Sequence, residues 1–221
     1  MQHIDLNNLP ERMRSLPIQN GYPVPWFVPK VSGVYDFRLV DGAKLLPTIQ
    51  KELCYVCGQK LGAYRAFIMG PMSVINRVVP EPPSHLECAE WSVRACPYLA
   101  YKQEAGRDGK PDGTTPNPTG FGINFHPKTY CVWVTKSYGI EKIQPDASRN
   151  IHGGVLFHVG DPTQTIWYRE SRLATQTEAL LDLKTAYELL RLKVPASADA
   201  EINRITRRYE LAKTRLPEAM A

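Results

Sequence analysis

The sequence predicts an α+β fold: β-hairpins, a small ligand-rich element embedded among them, and a C-terminal antiparallel helical hairpin. Three observations point there. Short runs of β-branched and aromatic residues recur up to residue 172, separated by Gly, Pro and Asp, as in "VPWFV" (24–28) and "TYCVWVTKSY" (129–138). Beyond residue 173 the apolar residues recur at helical spacing. Within the first regime, "CYVCG" (54–58) and "PPSHLECAEW" (82–91) bring thiols and an imidazole into close sequence spacing.

Residues 1–20 are polar and are expected to be loosely ordered, ahead of an α+β domain over 21–172 and a helical hairpin over 173–216. "VPWFV" and "VYDFRLV" (34–40) flank Ser32-Gly33 and predict a first hairpin. Asp41 can cap a helix over "GAKLLPTIQKEL", with Pro47 inside it as a potential break. "AYRAFIM" (63–69) and "SVINRVV" (73–79) flank "GPM" and predict a second hairpin, which Pro80, Pro82 and Pro83 end. Ser84 and Glu87 have the spacing of a capping box, so a helix should start there and run to about Ala95 before Pro97. The segment 104–122 is dense in Gly, Pro, Asp and Thr and predicts a long loop, either disordered or ligand-binding.

A strand is expected over 129–138 and a strand pair over 154–160 and 165–171, with Trp26, Phe27, Trp133, Trp167 and Tyr168 in the core. Thr175 and Glu178 form a second capping-box pattern, followed by Leu180, Leu183, Tyr187 and Leu190 on one helical face. Pro195 separates this helix from one beginning near Ser197, whose stripe is Ile202, Ile205, Tyr209, Ala212 and Leu216. The two stripes predict the helical hairpin.

Four side chains carry the chemistry. Cys54 and Cys57 have C-x2-C spacing, which lets a tight turn aim two sulfurs at one point, with Gly58 supplying the backbone freedom. His85 and Cys88 lie three apart at a helix start, where neighbours share a face and the helix dipole favours a thiolate. The order of knuckle, hairpin and ligand-bearing helix resembles the treble-clef class of zinc fingers over residues 54–96. The resemblance implies that Cys54 and Cys57 are the knuckle pair and His85 and Cys88 the helix pair of a Zn2+ site. Two other readings stand beside it: a redox C-x-x-C, or cysteines that are simply buried. Cys96 and Cys131 are read as core.

Four ligands would saturate zinc and leave no position for a reacting water, so the metal is expected to be structural. A cytidine-deaminase site needs its P-C-x-x-C after H-x-E, whereas here the C-x-x-C lies upstream of "HLE". An HNH nuclease site needs a histidine in the hairpin, and 63–79 has none.

Hydrophobic residues at 43% and charged residues at 22% allow a core without disulfides. No apolar run approaches the roughly 20 residues that span a bilayer. The N-terminus lacks the apolar segment of an export signal, so a cytoplasmic protein without membrane contact is expected. Five cysteines, an odd number, favour metal over disulfides in that compartment. The net charge of +5 is spread along the chain. Locally, Arg204, Arg208 and Arg215 can share a face of the last helix and meet phosphates.

These features lead to a zinc-stabilised binding protein, bacterial or phage in character, that contacts nucleic acid or an intracellular protein of the nucleic-acid machinery. The alternative is a hydrolase- or transferase-type enzyme using His126, His152 or His158 in a cleft beside the 104–122 loop.

Overall fold

A computed structural model describes residues 8–37, 39–100, 127–146, 153–195 and 197–218. The predicted loop 104–122, His126 and His152 lie outside the described residues. In chain order the elements are β1 Ile18–Gln19, β2 Tyr22–Pro23, β3 Lys30–Val31, β4 Val34–Tyr35, α1 Gly42–Gln50, β5 Arg65–Met69 and α2 Pro71–Asn76. There follow β6 Val78–Val79, α3 Leu86–Ala95, α4 Pro97–Ala100, β7 Thr129–Thr135, β8 Tyr138–Ile143 and β9 Gly154–Val159. The chain closes with β10 Pro162–Arg169, β11 Arg172–Leu173, α5 Gln176–Leu192 and α6 Asp199–Lys213.

The centre is an antiparallel sheet in the order β11-β10-β7-β5. All seven residues of β7 are buried, because both of its faces are covered. Cys131 and Trp133 point to one side, where Phe67, Met69 and Trp167 join Val74 and Ile75 of α2, Leu183 of α5 and Ile205 of α6. Tyr130, Val132 and Val134 point to the other side and meet Ala89 and Val93 of α3. A second antiparallel sheet, β6-β9-β8, adds Val79, Phe157 and Val159 to the first core.

The mixed α+β class and the C-terminal helical hairpin are as the sequence predicts. Thr175 caps α5 in a complete capping box with Glu178. Tyr187 stacks on Tyr209 at 4.3 Å between ring centroids and bonds Thr206 through its hydroxyl at 3.0 Å, which fixes α5 against α6. The buried stripe of α5 runs through Ala179, Leu183 and Ala186, and Leu180 is exposed instead.

Local pairings differ in four places. The first hairpin turns at Ser32-Gly33 but is confined to β3 and β4, because Pro25 and Pro29 remove ladder donors from the upstream arm. The second hairpin does not form. Gly70 is the N-cap and Pro71 opens α2, and Arg77 ends it in the left-handed region with φ 62°. β5 pairs with β7 instead, and β6 with β9. The strand over 129–138 breaks at Lys136-Ser137 into β7 and β8, which belong to different sheets. Finally, β9 and β10 both form but do not pair, because the chain changes sheets at Gly160-Asp161. These two corners are joined, with Gly160 N donating to Ser137 O at 3.0 Å and Thr135 Oγ1 to Asp161 O at 2.8 Å.

α5 is also tied to β7 by charge. The buried carboxylate of Asp182 accepts hydrogen bonds from Lys128 N (2.9 Å) and Thr129 N (2.7 Å). Asp182→Ala leaves both donors without that acceptor and is expected to cost about 2–4 kcal/mol in urea unfolding, with a smaller loss for Asp182→Asn. An unchanged midpoint for the alanine variant would remove this tie from the account. At the α5 start, the hydrogen bond from Arg172, then that from Thr175 N, lowers the Glu178 carboxyl from 4.5 to about 2. A depressed carboxyl stabilises the fold above its unfolded pKa, and the contribution disappears as pH falls through about 2. Carboxyl NMR titration of Arg172→Gln should show Glu178 moving back up towards 4.5.

Candidate metal centre

The knuckle is built by backbone geometry. Leu53 and Lys60 form an isolated antiparallel bridge, Cys54 N donates to Gln59 O at 2.7 Å, and Gly58 N donates to Cys54 O at 2.8 Å. Gly58 sits at φ +75°, and a Cβ there would lie 2.0 Å from Cδ1 of Trp26. Two independent constraints, left-handed backbone and the indole face, therefore demand glycine. Trp26 is itself held against the knuckle by its backbone N–H, which donates to Val56 O at 2.7 Å, and Phe27 stacks on Tyr55 with centroids 3.8 Å apart. The sequence places these two aromatics in the core. They are half-buried and clamp the knuckle instead.

The opposing ligands arrive with α3. The helix starts one residue later than the sequence suggests: His85 is the N-cap, and Ser84 makes no capping box with Glu87. Ser84 is committed elsewhere, exchanging both backbone hydrogen bonds with Ala66 of β5. Glu87 pairs with Arg12 at 2.9 Å. Once positioned, α3 has two working faces. Ala89 and Val93 pack on the sheet, while Cys88 and Trp91 face the knuckle.

Cys54, Cys57, His85 and Cys88 are all buried, and their ligand atoms lie within 4.8 Å of one another. Cys57 Sγ is 3.4 Å and Cys88 Sγ 4.0 Å from His85 Nδ1. Metal–sulfur and metal–nitrogen bonds of about 2.3 and 2.0–2.1 Å in a tetrahedron require edges of roughly 3.6–3.8 Å, so this set fits one ion with small adjustments. The other imidazole nitrogen, Nε2, is 3.1 Å from Lys60 O. A carbonyl only accepts, so Nε2 donates to it and Nδ1 is the nitrogen turned towards the sulfurs. Such an outer partner fixes the ring and its tautomer for metal binding.

The protons follow the same logic. Burial alone would push the Cys54 thiol up, but hydrogen bonds from Cys57, Cys88 and His85 outweigh it and hold it far below the ordinary thiol range. The backbone N–H groups of Cys57 and His85 both point at Cys54 Sγ, each at 3.4 Å. Hydrogen bonds to Cys54 and Cys57 raise His85 to about 10. The same two partners, then burial, push the Cys88 thiol up. The cluster thus settles its crowded ligands by keeping protons, and a dication that takes their place must release them.

A part of the centre that sequence reasoning missed comes from the N-terminal region. Leu9 and Met13 are buried with Cys54, Cys57 and Cys88, and Leu16 packs beside them. Arg12 bonds Glu87 and Gln59, and Gln59 returns a bond to Arg12 O at 3.2 Å. The apolar spacing of Leu9, Met13 and Leu16 was the available signal.

The other candidate residues stand apart from this centre. Arg204 is bound to Glu201 on its own helix. Arg208 Nη1 donates to Asn76 O at 2.8 Å. The Arg215 carbonyl accepts from Trp167 Nε1 (2.8 Å) and Thr165 Oγ1 (2.9 Å). His158 is exposed, with Nε2 2.5 Å from Glu141 Oε2, while Asp161 pairs with Arg77. Cys131 is buried in the main core, and burial pushes its thiol up. No described helix is long and apolar enough to cross a membrane. No family model, curated protein or solved structure matches this chain.

Gly58→Ala tests the knuckle geometry. The added methyl displaces Trp26 and strains the turn, so metal affinity measured by competition with a chromogenic chelator should fall by at least about tenfold. Wild-type affinity in a folded variant would show that the knuckle does not depend on this contact.

Proposed function

We propose that the chain is a zinc-stabilised cytoplasmic binding protein that contacts nucleic acid, with the zinc structural and of treble-clef type. The observation that carries the zinc reading is the enclosed Cys3His set, with His85 oriented by Lys60 O and 7% exposed. Soft thiolates with one imidazole at tetrahedral separations suit zinc. Four ligands fill its preferred shell, and burial keeps water away, so the ion's role is to join two chain segments. A knuckle followed by a helix carrying the second ligand pair supports the treble-clef assignment. The replacement of the intervening hairpin by β5, α2 and β6 is a departure from that class. Five cysteines without disulfides fit a reducing compartment.

The nucleic-acid part of the proposal rests on the arginines. Arg204, Arg208 and Arg215 lie on or just after α6, and Arg208 has no carboxylate within ion-pair distance among the described residues. A protein of the nucleic-acid machinery is the other partner such a basic surface fits.

Two measurements test this. Purified protein should carry one zinc per chain, and removal by a strong chelator should open residues 54–96 to protease, because metal binding is folding energy there. A metal-free protein that resists protease equally well would sink the structural-zinc reading. Oligonucleotide binding should weaken steeply as salt rises. Its absence at low salt would remove nucleic acid as the partner.

A further inference from the structure

Arg77 occupies an unusual position. It ends α2 in the left-handed region, φ 62°, where glycine is the ordinary choice. Its side chain explains the exception. The guanidinium lies 4.5 Å from the Trp133 ring centroid, donates through Nε to Val159 O (3.2 Å), and pairs through Nη2 with Asp161 (2.9 Å). Asn76, the residue before it, gives its carbonyl to Arg208. Arg215 is fixed nearby through its own carbonyl on Trp167 Nε1, and its Nε is buried without a hydrogen-bond partner among the described residues. Asp161 is under the influence of both Arg77 and Arg215, and Arg208 under that of both Arg77 and Arg204.

Two segments distant in sequence thus bring Arg77 and Arg208 together across Asn76, with Arg215 further along the same C-terminal segment as Arg208. Asp161 is the one carboxylate within ion-pair distance of them among the described residues, and its side chain is 82% exposed. Burial first, and then the charges of Arg204 and Arg77, disfavour the charged form of Arg208, against a smaller opposing effect of Glu201. Like charges held together with so little compensation are arranged for an anion, and the planar guanidinium suits phosphate oxygens.

We infer that Arg77, Arg208 and Arg215 form a binding site for a phosphate group, at the junction of α2, α6 and the segment after α6. Arg204, engaged by Glu201, flanks the site and is not a ligand. The inference rests on the nucleic-acid reading above only for what carries the phosphate: a nucleic-acid backbone, or a free phosphate compound.

Two indoles report on the site in the intact, metal-loaded protein, since Trp133 lies under Arg77 and Trp167 bonds the Arg215 carbonyl. Titration with inorganic pyrophosphate should shift the indole N–H resonances of Trp133 and Trp167 and leave Trp26 and Trp91 unmoved. Random-sequence oligonucleotides, single-stranded and duplex, should produce the same pattern. Arg208→Gln should weaken both ligands by about tenfold and lower the salt slope for the oligonucleotide by about one. Arg208→Lys should recover part of the loss, and Arg207→Gln, at an exposed position, should change little. Pyrophosphate binding without oligonucleotide binding would keep the site and overturn the nucleic-acid reading. Oligonucleotide binding that leaves both indoles still and survives Arg208→Gln would overturn the site and keep that reading. If neither ligand binds the wild-type protein, both fall.

Discussion

Ala66 and Ser84 exchange both backbone hydrogen bonds, at 2.8 and 2.9 Å, and this short ladder is where the central sheet takes hold of the ligand-bearing helix. It sits immediately before His85, so the direction of β5 sets the direction in which α3 departs. Tyr55 N on Pro83 O, at 3.0 Å, attaches the knuckle to the same lead-in. The metal centre is therefore not an independent bead on the chain. Its two halves are both referred to β5, which is in turn paired along its length with the fully buried β7.

Within that frame, electrostatics favours a cation. Desolvation penalises the thiolates of Cys54 and Cys88, yet two backbone donors aim at Cys54 Sγ, and the imidazole is turned so that Nδ1 faces inwards. This preparation costs stability in a protein that never binds metal, because hydrogen-bonded thiolates in an apolar surround need a counter-charge. Arg77 is the opposite case: a positive charge held over Trp133 by stacking and a carbonyl contact.

The sequence shows those features that local chemistry determines. The members of the Cys3His cluster followed from spacing, the start of α5 from Thr175 and Glu178, the start of α1 from Asp41, and the helical hairpin from its two apolar stripes. Features decided by distant partners were not legible. "SVINRVV" has strand composition, but Gly70-Pro71 starts a helix and Val74 and Ile75 find their burial against α5 and α6. Ser84 carries a capping signature that Ala66 overrides. The apparent single strand over 129–138 is divided because Thr135 and Ser137 meet Gly160 and Asp161, a contact no local pattern announces. The clamp of Trp26 on Gly58 was hidden for the same reason, although the glycine itself was marked by the turn.

Met13 is fully enclosed against the sulfurs of the cluster, and Arg12 is fastened across the outside by Glu87 and Gln59. Leu9, Met13 and Leu16 thus close one side of the cluster against solvent. The enclosure of Cys54, Cys57 and Cys88 is accordingly completed by a segment distant in sequence from the cysteines themselves.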